Sequence, residues 1–329
     1  MFDSIPIIDV GPLVRKKGDE DFREDPEVRN VVHQLDLACR NVGFFYVSGH
    51  GIPLELCQAV LDVGHEFFSQ PESQKLRIAM SSSTGFRGYQ KLGENVTKGL
   101  PDQHEAIDYF KEFESTKVAL RSENPLVGLN QWPDSVSKFR PLVQEYLEML
   151  IELARTIMRG IALALGGPKD LFEGERAGDP FWILRVIGYP PISNLSCLSN
   201  PNGEEVGCGD HTDYGLLTLV NQDLDITALQ VKTQDGKYIW VDPIPGTFVV
   251  NIGDMLTIWT NGLYQSTLHR VMNNDSKYRV SVPFFYEPNF DARVEPFSFL
   301  QDSTAAESKR YTPVVYGDHV INKVLNNFG

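Results

Sequence analysis

Three side chains able to bind a metal ion stand out by their type and order. His211 and Asp213 are two residues apart at the head of an apolar run, and His269 lies in a later run of the same kind. In a β-strand, residues two apart point to one side, so this imidazole and this carboxylate are expected to converge. Two imidazoles and one carboxylate on one face of a metal ion leave the opposite face open, which is typical of non-haem Fe(II) sites. A His-x-Asp pair alone is a weak signal, because it also occurs by chance.

An arginine and a serine follow in the next predicted strand. Arg279 and Ser281 are also two residues apart, so they are expected to share a strand face. A guanidinium fork binds a carboxylate through two hydrogen bonds, and a serine hydroxyl can donate another. An arginine inside a barrel needs such a partner, because it cannot lose its charge. The five residues in this order favour a metal site that faces a carboxylate-binding site.

The predicted secondary structure that must position these residues changes from helical to β along the chain. The first half predicts helices over about residues 28–42, 54–68 and 135–165, where apolar residues recur at helical spacing, and an irregular segment over 81–99. From Trp182 onward, short β-branched and aromatic runs alternate with turn residues. The predicted strands cover residues 183–189, 216–221, 228–231, 238–241, 247–251, 255–259, 266–272 and 279–286. This spacing predicts a mainly β fold with flanking helices, of the sandwich or jelly-roll type.

Composition and charge disfavour several classes of protein. The 329 residues include 30 Lys+Arg and 44 Asp+Glu, a net charge of −14, which argues against nucleic acid as a partner. We find neither an apolar stretch of membrane-spanning length nor a secretory signal pattern at the start. The four cysteines form no C-x-x-C pair, which fits free thiols in a reducing compartment. We therefore expect a cytoplasmic protein that acts on a small molecule, without a membrane or an obligate protein partner.

The motifs resemble those of the 2-oxoglutarate- and Fe(II)-dependent dioxygenases. His211-x-Asp213, His269 and Arg279-x-Ser281 match that family's pattern in order, and segments 5–9 and 43–51 resemble its N-terminal domain. The similarity is strongest to the plant-type, isopenicillin N synthase-like branch. Segments 88–99 and 211–218 resemble a plant subgroup related to the ethylene-forming enzyme. The resemblance implies a double-stranded β-helix core, which is a jelly-roll of the cupin type.

The resemblance also implies domains. Residues 1–120 would form the N-terminal helical and mixed region, and 121–180 a scaffold helix region. The double-stranded β-helix domain would occupy residues 181–290, and residues 291–329 would pack on this core.

Roles for individual residues follow from the same resemblance. Fe(II) would be held by His211, Asp213 and His269. The cosubstrate 2-oxoglutarate would be held by Arg279, Ser281 and Tyr189. O2 would be the third reactant, and ascorbate would assist the reaction in vitro.

One departure from the family pattern concerns the cosubstrate. Many plant members carry Asn two residues before the tyrosine, where this chain has Ile187. Arg185, on the same predicted strand, could replace that contact, touch the substrate or form a structural salt bridge. Further candidates for the substrate pocket are Tyr214, Phe285, Arg87 and Asn95.

The implied reaction couples oxidative decarboxylation of 2-oxoglutarate, to succinate and CO2, with hydroxylation or desaturation of a small organic substrate. Several alternatives stay open at this point. The enzyme could form ethylene from 2-oxoglutarate, or use iron without 2-oxoglutarate. A non-catalytic, cupin-like metal-binding protein and a zinc hydrolase would use the same three ligands.

Overall fold

The structure is a computed structural model that describes residues 4–19, 21–97, 99–113, 124–191, 206–272, 275–301 and 311–328. Its helices are α1 (Gly11–Lys16), α2 (Pro26–Asn41), α3 (Leu54–Phe68), α4 (Glu72–Lys75), α5 (Phe139–Ala164), α6 (Asp254–Trp259), α7 (Ser298–Gln301) and α8 (Tyr316–Phe328). Its strands are β1 (Ile7–Asp9), β2 (Phe44–Ser48), β3 (Gly88–Gln90), β4 (Val96–Thr97), β5 (Leu100–Pro101), β6 (Glu105–Phe110), β7 (Trp182–Tyr189), β8 (Val206–His211), β9 (Leu217–Gln222), β10 (Leu229–Lys232), β11 (Tyr238–Val241), β12 (Phe248–Ile252), β13 (His269–Met272), β14 (Arg279–Tyr286), β15 (Arg293–Val294) and β16 (Val314–Val315). Two short 3-10 turns cover Leu76–Ile78 and Ser82–Thr84. Among the described helices, none has the length and apolar character needed to cross a membrane.

Two sheets form the β core. The larger has eight strands in the order β1-β2-β12-β9-β14-β7-β6-β3, and the smaller has four in the order β11-β10-β13-β8. Apolar side chains of β2, β7 and β12 cluster with those of β10 and β13, so the two sheets face one another. The predicted double-stranded β-helix is confirmed.

Helices cover the outer face of the larger sheet, and the sequence explains where they begin. The Asp25 side chain caps α2 by accepting hydrogen bonds from the backbone N–H groups of Glu27 (2.9 Å) and Val28 (3.1 Å). Pro26 occupies the first helical position, where it needs no hydrogen bond. The buried faces of α2, α3 and α5 join the main apolar cluster, as their helical periodicity predicted.

The structure corrects two expectations about strands. Residues 255–259, expected to be a strand, belong to the short helix α6. A run of five mostly apolar residues is too short for its periodicity to distinguish a strand from a helix. In the structure, the backbone N–H of Met255, in the first turn of this helix, donates to the carbonyl of Tyr214 (3.1 Å). Strand β8 was missed, because its sequence, VGCGDH, contains two glycines and few β-forming residues.

Candidate metal centre and adjoining cavity

The three predicted ligands lie together where the smaller sheet meets the larger one. His211 ends β8, His269 begins β13, and the two are direct antiparallel partners with ring centroids 4.2 Å apart. Asp213 lies beyond the end of β8, so it does not share a strand with His211 as we expected. It meets the two imidazoles because the chain turns after β8.

Backbone hydrogen bonds hold this turn in place. The N–H of Asp254, at the start of α6, donates to the carbonyl of Asp213 at 2.8 Å. The N–H of Leu216 donates to the carbonyl of Tyr286, the last residue of β14, at 3.0 Å. The carboxylate is therefore fixed by a helix and a strand that are distant in sequence.

The ligating atoms of the triad are free and face one another. Asp213 Oδ1 lies 3.7 Å from Nε2 of both His211 and His269, which is too long for a hydrogen bond. The other ring nitrogens are engaged: Nδ1 of His211 lies 2.7 Å from the Gly209 carbonyl, and Nδ1 of His269 lies 3.1 Å from the Thr267 carbonyl. If each Nδ1 carries the proton, each Nε2 keeps its lone pair for a metal ion. The donor set therefore fits Fe(II) with its opposite face open.

Two polar side chains orient the carboxylate. Asp213 Oδ2 accepts hydrogen bonds from Thr218 Oγ1 (2.5 Å) and Asn251 Nδ2 (2.6 Å), and these donors are cross-strand partners on β9 and β12. Burial opposes ionisation, but His269, His211 and these two donors hold the pKa of Asp213 below its usual value. Asn251 is the last residue of the strand that the sequence predicts over residues 247–251. Its role depends on strand register, which the sequence does not display.

Burial also keeps one imidazole neutral. Burial, followed by the neighbouring His211 ring, lowers the pKa of His269 to about 4. A neutral imidazole is the form that binds a metal ion.

Arg279 and Ser281 are both buried on β14, on the interior face that their spacing predicted. Arg279 Nη2 donates to Gln222 Oε1 at 2.8 Å, and the guanidinium carbon lies 4.9 Å from the ring centroid of Tyr189, its partner on β7. Nε and Nη1 of Arg279 have no hydrogen-bond partner among the described residues. A buried guanidinium with two free donors fits a carboxylate ligand such as that of 2-oxoglutarate.

A cavity of about 430 Å³ opens beside the triad. His211 and Asp213 line it, as do four of the five residues proposed for the substrate pocket: Asn95, Arg185, Tyr214 and Phe285. Side chains of α8 close one wall, including Lys323, whose Nζ lies 4.9 Å from the ring centroid of Tyr214. Arg279, Ser281 and Tyr189 are buried outside this lining.

The two arginines proposed for the pocket are placed differently. Arg185 lines the cavity but pairs with Asp108, its partner on β6, through a hydrogen bond of 2.8 Å. Arg87 does not line it, which corrects our expectation. Its guanidinium is buried over the Phe110 ring and donates to backbone carbonyls, including those of Leu126 (2.5 Å) and Lys111 (2.9 Å). It therefore ties neighbouring segments together.

Glu287 is a cavity residue that the sequence analysis did not select. It follows β14 directly, lines the cavity and is 2% exposed. Glu287 is an even number of residues from Ser281 and Phe285, so strand alternation would have predicted all three side chains on one face.

Comparisons with known proteins agree with this geometry. The profile of the 2OG-Fe(II) oxygenase superfamily matches residues 183–288, and that described as non-haem dioxygenase in morphine synthesis N-terminal matches residues 5–135. The chain is 54% identical to the homoarginine-6-hydroxylase 2-ODD-233 of Oryza sativa subsp. japonica, over 99% of this chain and 98% of the relative.

The chain belongs to the 2OG-Fe(II) oxygenase superfamily.

Solved structures are similar over almost the whole oxygenase. A full-length Neurospora crassa protein, solved in complex with alpha-KG and thymine, superimposes with a TM-score of 0.80 at 27% identity, covering 98% of this chain and 96% of the other. JOX2 in complex with 2OG, Fe and JA gives 0.78 at 30% identity, covering 98% and 85%. This oxygenase is therefore an Fe(II)- and 2-oxoglutarate-dependent oxidoreductase of the plant-type branch that acts on a small molecule.

Proposed function

We propose that this oxygenase hydroxylates a small amino acid with a guanidino side chain, such as homoarginine. Support comes from relatives of 50–54% identity that are named homoarginine-6-hydroxylases and match 98–99% of this chain. The cavity volume of about 430 Å³ suits a ligand of that size. Hydroxylation is the activity in the relatives' names, so we place it above desaturation and ethylene formation.

We assign the metal ligands to His211, Asp213 and His269. The observation that carries this assignment is the distance from Asp213 Oδ1 to the two imidazole Nε2 atoms, 3.7 Å each, with the ligating atoms of all three residues within 4.8 Å of one another. Iron held there supplies O2 activation coupled to decarboxylation of 2-oxoglutarate. The protein would position the ligands: Thr218 and Asn251 hold Oδ2 of the Asp213 carboxylate, so that Oδ1 is left to bind the ion.

We assign the cosubstrate's far carboxylate to Arg279, with Ser281 and Tyr189 beside it. Nε and Nη1 of the buried guanidinium have no hydrogen-bond partner among the described residues, which supports this assignment, because a charge in this environment needs an anionic partner. Ile187, at the position of the family's asparagine, is buried opposite Ser281 and donates no side-chain hydrogen bond. Gln222, which already binds Arg279 Nη2, is a polar group that can orient the guanidinium instead.

The reaction can be tested with purified protein, Fe(II), ascorbate and 2-oxoglutarate, with L-homoarginine present or absent. We expect homoarginine to raise succinate release and to yield a hydroxylated product in equal amount. Succinate release that no guanidino compound stimulates would contradict the substrate assignment. Ethylene in the headspace in place of hydroxylated product would contradict the reaction assignment.

We also propose that the enzyme works in the cytoplasm, alone and without nucleic acid. The described cysteines, Cys39, Cys57 and Cys208, are free thiols, and the net charge of −14 repels polyanions. Imaging of a fluorescent fusion in intact cells tests the location. A fusion confined to an organelle would overturn it.

A further inference from the structure

The cavity wall contains a buried carboxyl group with one unsatisfied oxygen atom. Glu287 lines the cavity with only 2% of its surface exposed, and its Oε2 atom has no hydrogen-bond partner among the described residues. Buried carboxylates are normally paired, because removing a charge from water is costly. A buried carboxyl group in the wall of a cavity, with one oxygen left without a partner, therefore points to a ligand.

The surroundings of Glu287 increase this cost. Burial raises the pKa of Glu287 to about 8, and the neighbouring carboxylates of Asp213 and Asp254 add to the rise. The Tyr316 hydroxyl, from α8, acts in the opposite direction. A cation bound in the cavity would relieve this repulsion.

Strand register places Glu287 on the substrate side of the metal centre. Phe285 pairs with Thr218, the residue that donates to Asp213, so the metal centre lies near the level of Phe285 along β14. Arg279 lies six residues before Phe285, and Glu287 lies two residues after it. The proposed cosubstrate anchor and the unpaired carboxyl are therefore on opposite sides of the iron site.

Other charges in the cavity also favour a cationic ligand. Asp210 lines the cavity, and its Oδ1 has no hydrogen-bond partner among the described residues, while its Oδ2 accepts from Tyr238. Of the two cations in the described part of the lining, Arg185 is paired with Asp108, and Lys323 lies over the Tyr214 ring. Among the described residues of the lining, the buried acceptors without a partner are Asp210 Oδ1 and Glu287 Oε2. Carboxylate oxygens match the N–H donors of a guanidinium or ammonium group.

The Glu287 carboxyl also lies close to the metal centre. A Cβ atom added at Gly215, two residues after Asp213, would overlap with Glu287 Oε2. The carboxyl thus packs against the backbone of the turn that carries Asp213. A charged group bound here would lie close to the reacting centre.

We propose that Glu287 binds the cationic group of the prime substrate and makes the enzyme select guanidino or ammonium side chains over neutral isosteres. This inference rests on the proposed function and adds the residue that sets its specificity.

The test compares L-homoarginine with L-homocitrulline, its neutral isostere, as substrates of the iron-loaded enzyme. Succinate release gives kcat and KM for the wild type, Glu287→Gln, Glu287→Asp and the control Glu295→Gln, whose exposed side chain lies beside Arg293. We expect the wild type to prefer homoarginine. We expect Glu287→Gln to raise the KM for homoarginine by about tenfold to a hundredfold, because the substrate loses one charged hydrogen-bonding partner. Glu287→Asp should retain part of the preference, and Glu295→Gln all of it.

Two results would overturn the inference and leave the proposed function standing. One is a wild type that uses both compounds equally, which needs no variant and so does not depend on how Glu287→Gln folds. The other is a folded Glu287→Gln enzyme with an unchanged preference. If the wild type decarboxylates 2-oxoglutarate but no cationic amino acid (L-homoarginine, L-arginine or L-lysine) stimulates it, the substrate assignment and the role of Glu287 both fail, while the oxygenase chemistry stands. If iron and 2-oxoglutarate give no succinate under any condition, the proposed function itself fails.

Discussion

Asn251 donates a hydrogen bond of 2.6 Å to Asp213 Oδ2, while Oδ1 of the same carboxylate faces the two imidazoles. One oxygen is thus held by the protein and the other is left for a metal ion. This division of roles explains how a residue in an irregular turn is positioned as accurately as one in a strand.

Removing this donor should weaken metal binding. We expect Asn251→Ala to lower Fe(II) affinity by roughly tenfold to a hundredfold, because the carboxylate loses its fixed orientation. Anaerobic titration calorimetry with Fe(II) measures the affinity. Asn41→Ala is the matched control, since that exposed side-chain amide donates to the Leu37 carbonyl of its own helix, outside the metal centre. An unchanged affinity in Asn251→Ala would show that the hydrogen bond does not orient the ligand.

An ammonium group should not replace the guanidinium of Arg279 in binding 2-oxoglutarate. We expect Arg279→Lys to raise the KM for 2-oxoglutarate by about tenfold or more, because a point charge cannot form the two-pronged contact. Succinate release at varied 2-oxoglutarate concentration measures this effect. The exposed Arg293→Lys serves as the control. A normal KM in Arg279→Lys would count against the carboxylate role.

Glu287 should make folding stability depend on pH. The pKa of its carboxyl is about 8 in the folded protein, against an ordinary value of 4.5, so between these values the folded state holds a proton that the unfolded state has lost. Stability should therefore fall as pH rises from about 4.5 to 8, by at most about 1.4 kcal/mol per pH unit from this group.

The groups that face Glu287 are Tyr316, Asp213 and Asp254, and they are the same in wild type and variant. Urea unfolding of metal-free wild type and Glu287→Gln from pH 5 to 8 isolates the contribution of this carboxyl. We expect a flatter profile for the variant. Parallel profiles would mean that Glu287 ionises normally.

A side chain at Gly215 should disturb the position of the Glu287 carboxyl. Since an added Cβ would overlap with Glu287 Oε2, Gly215→Ala must displace either the carboxyl or the Asp213 turn. We expect a loss of about 1–3 kcal/mol of stability and a higher KM for the cationic substrate. Gly18→Ala, where the added atom meets nothing within 4 Å, is the control. Equal thermal midpoints and equal KM values in the two variants would refute this packing.

The sequence predicted those helices and strands in which apolar residues recur at a regular spacing. The periodicity of α3 and the alternation of β14 gave their observed limits, because one face of each element must be buried. The motif residues predicted the metal centre for a partly wrong reason, since His211 and Asp213 converge through a turn and not along a strand. Asn251 and Glu287 could not be assigned from local pattern. Their roles arise from pairing between β12 and β9, and from packing of the β14 end against the Asp213 turn.

Iron content and succinate release, measured on wild type and Asp213→Ala side by side, test the central claim most directly. Asp235→Ala, which removes a carboxylate from a surface turn, is the control. We predict Fe(II) and 2-oxoglutarate turnover in the wild type and the control, and neither in a folded Asp213→Ala protein. An Asp213→Ala protein that keeps its iron and releases succinate at the wild-type rate would contradict the account.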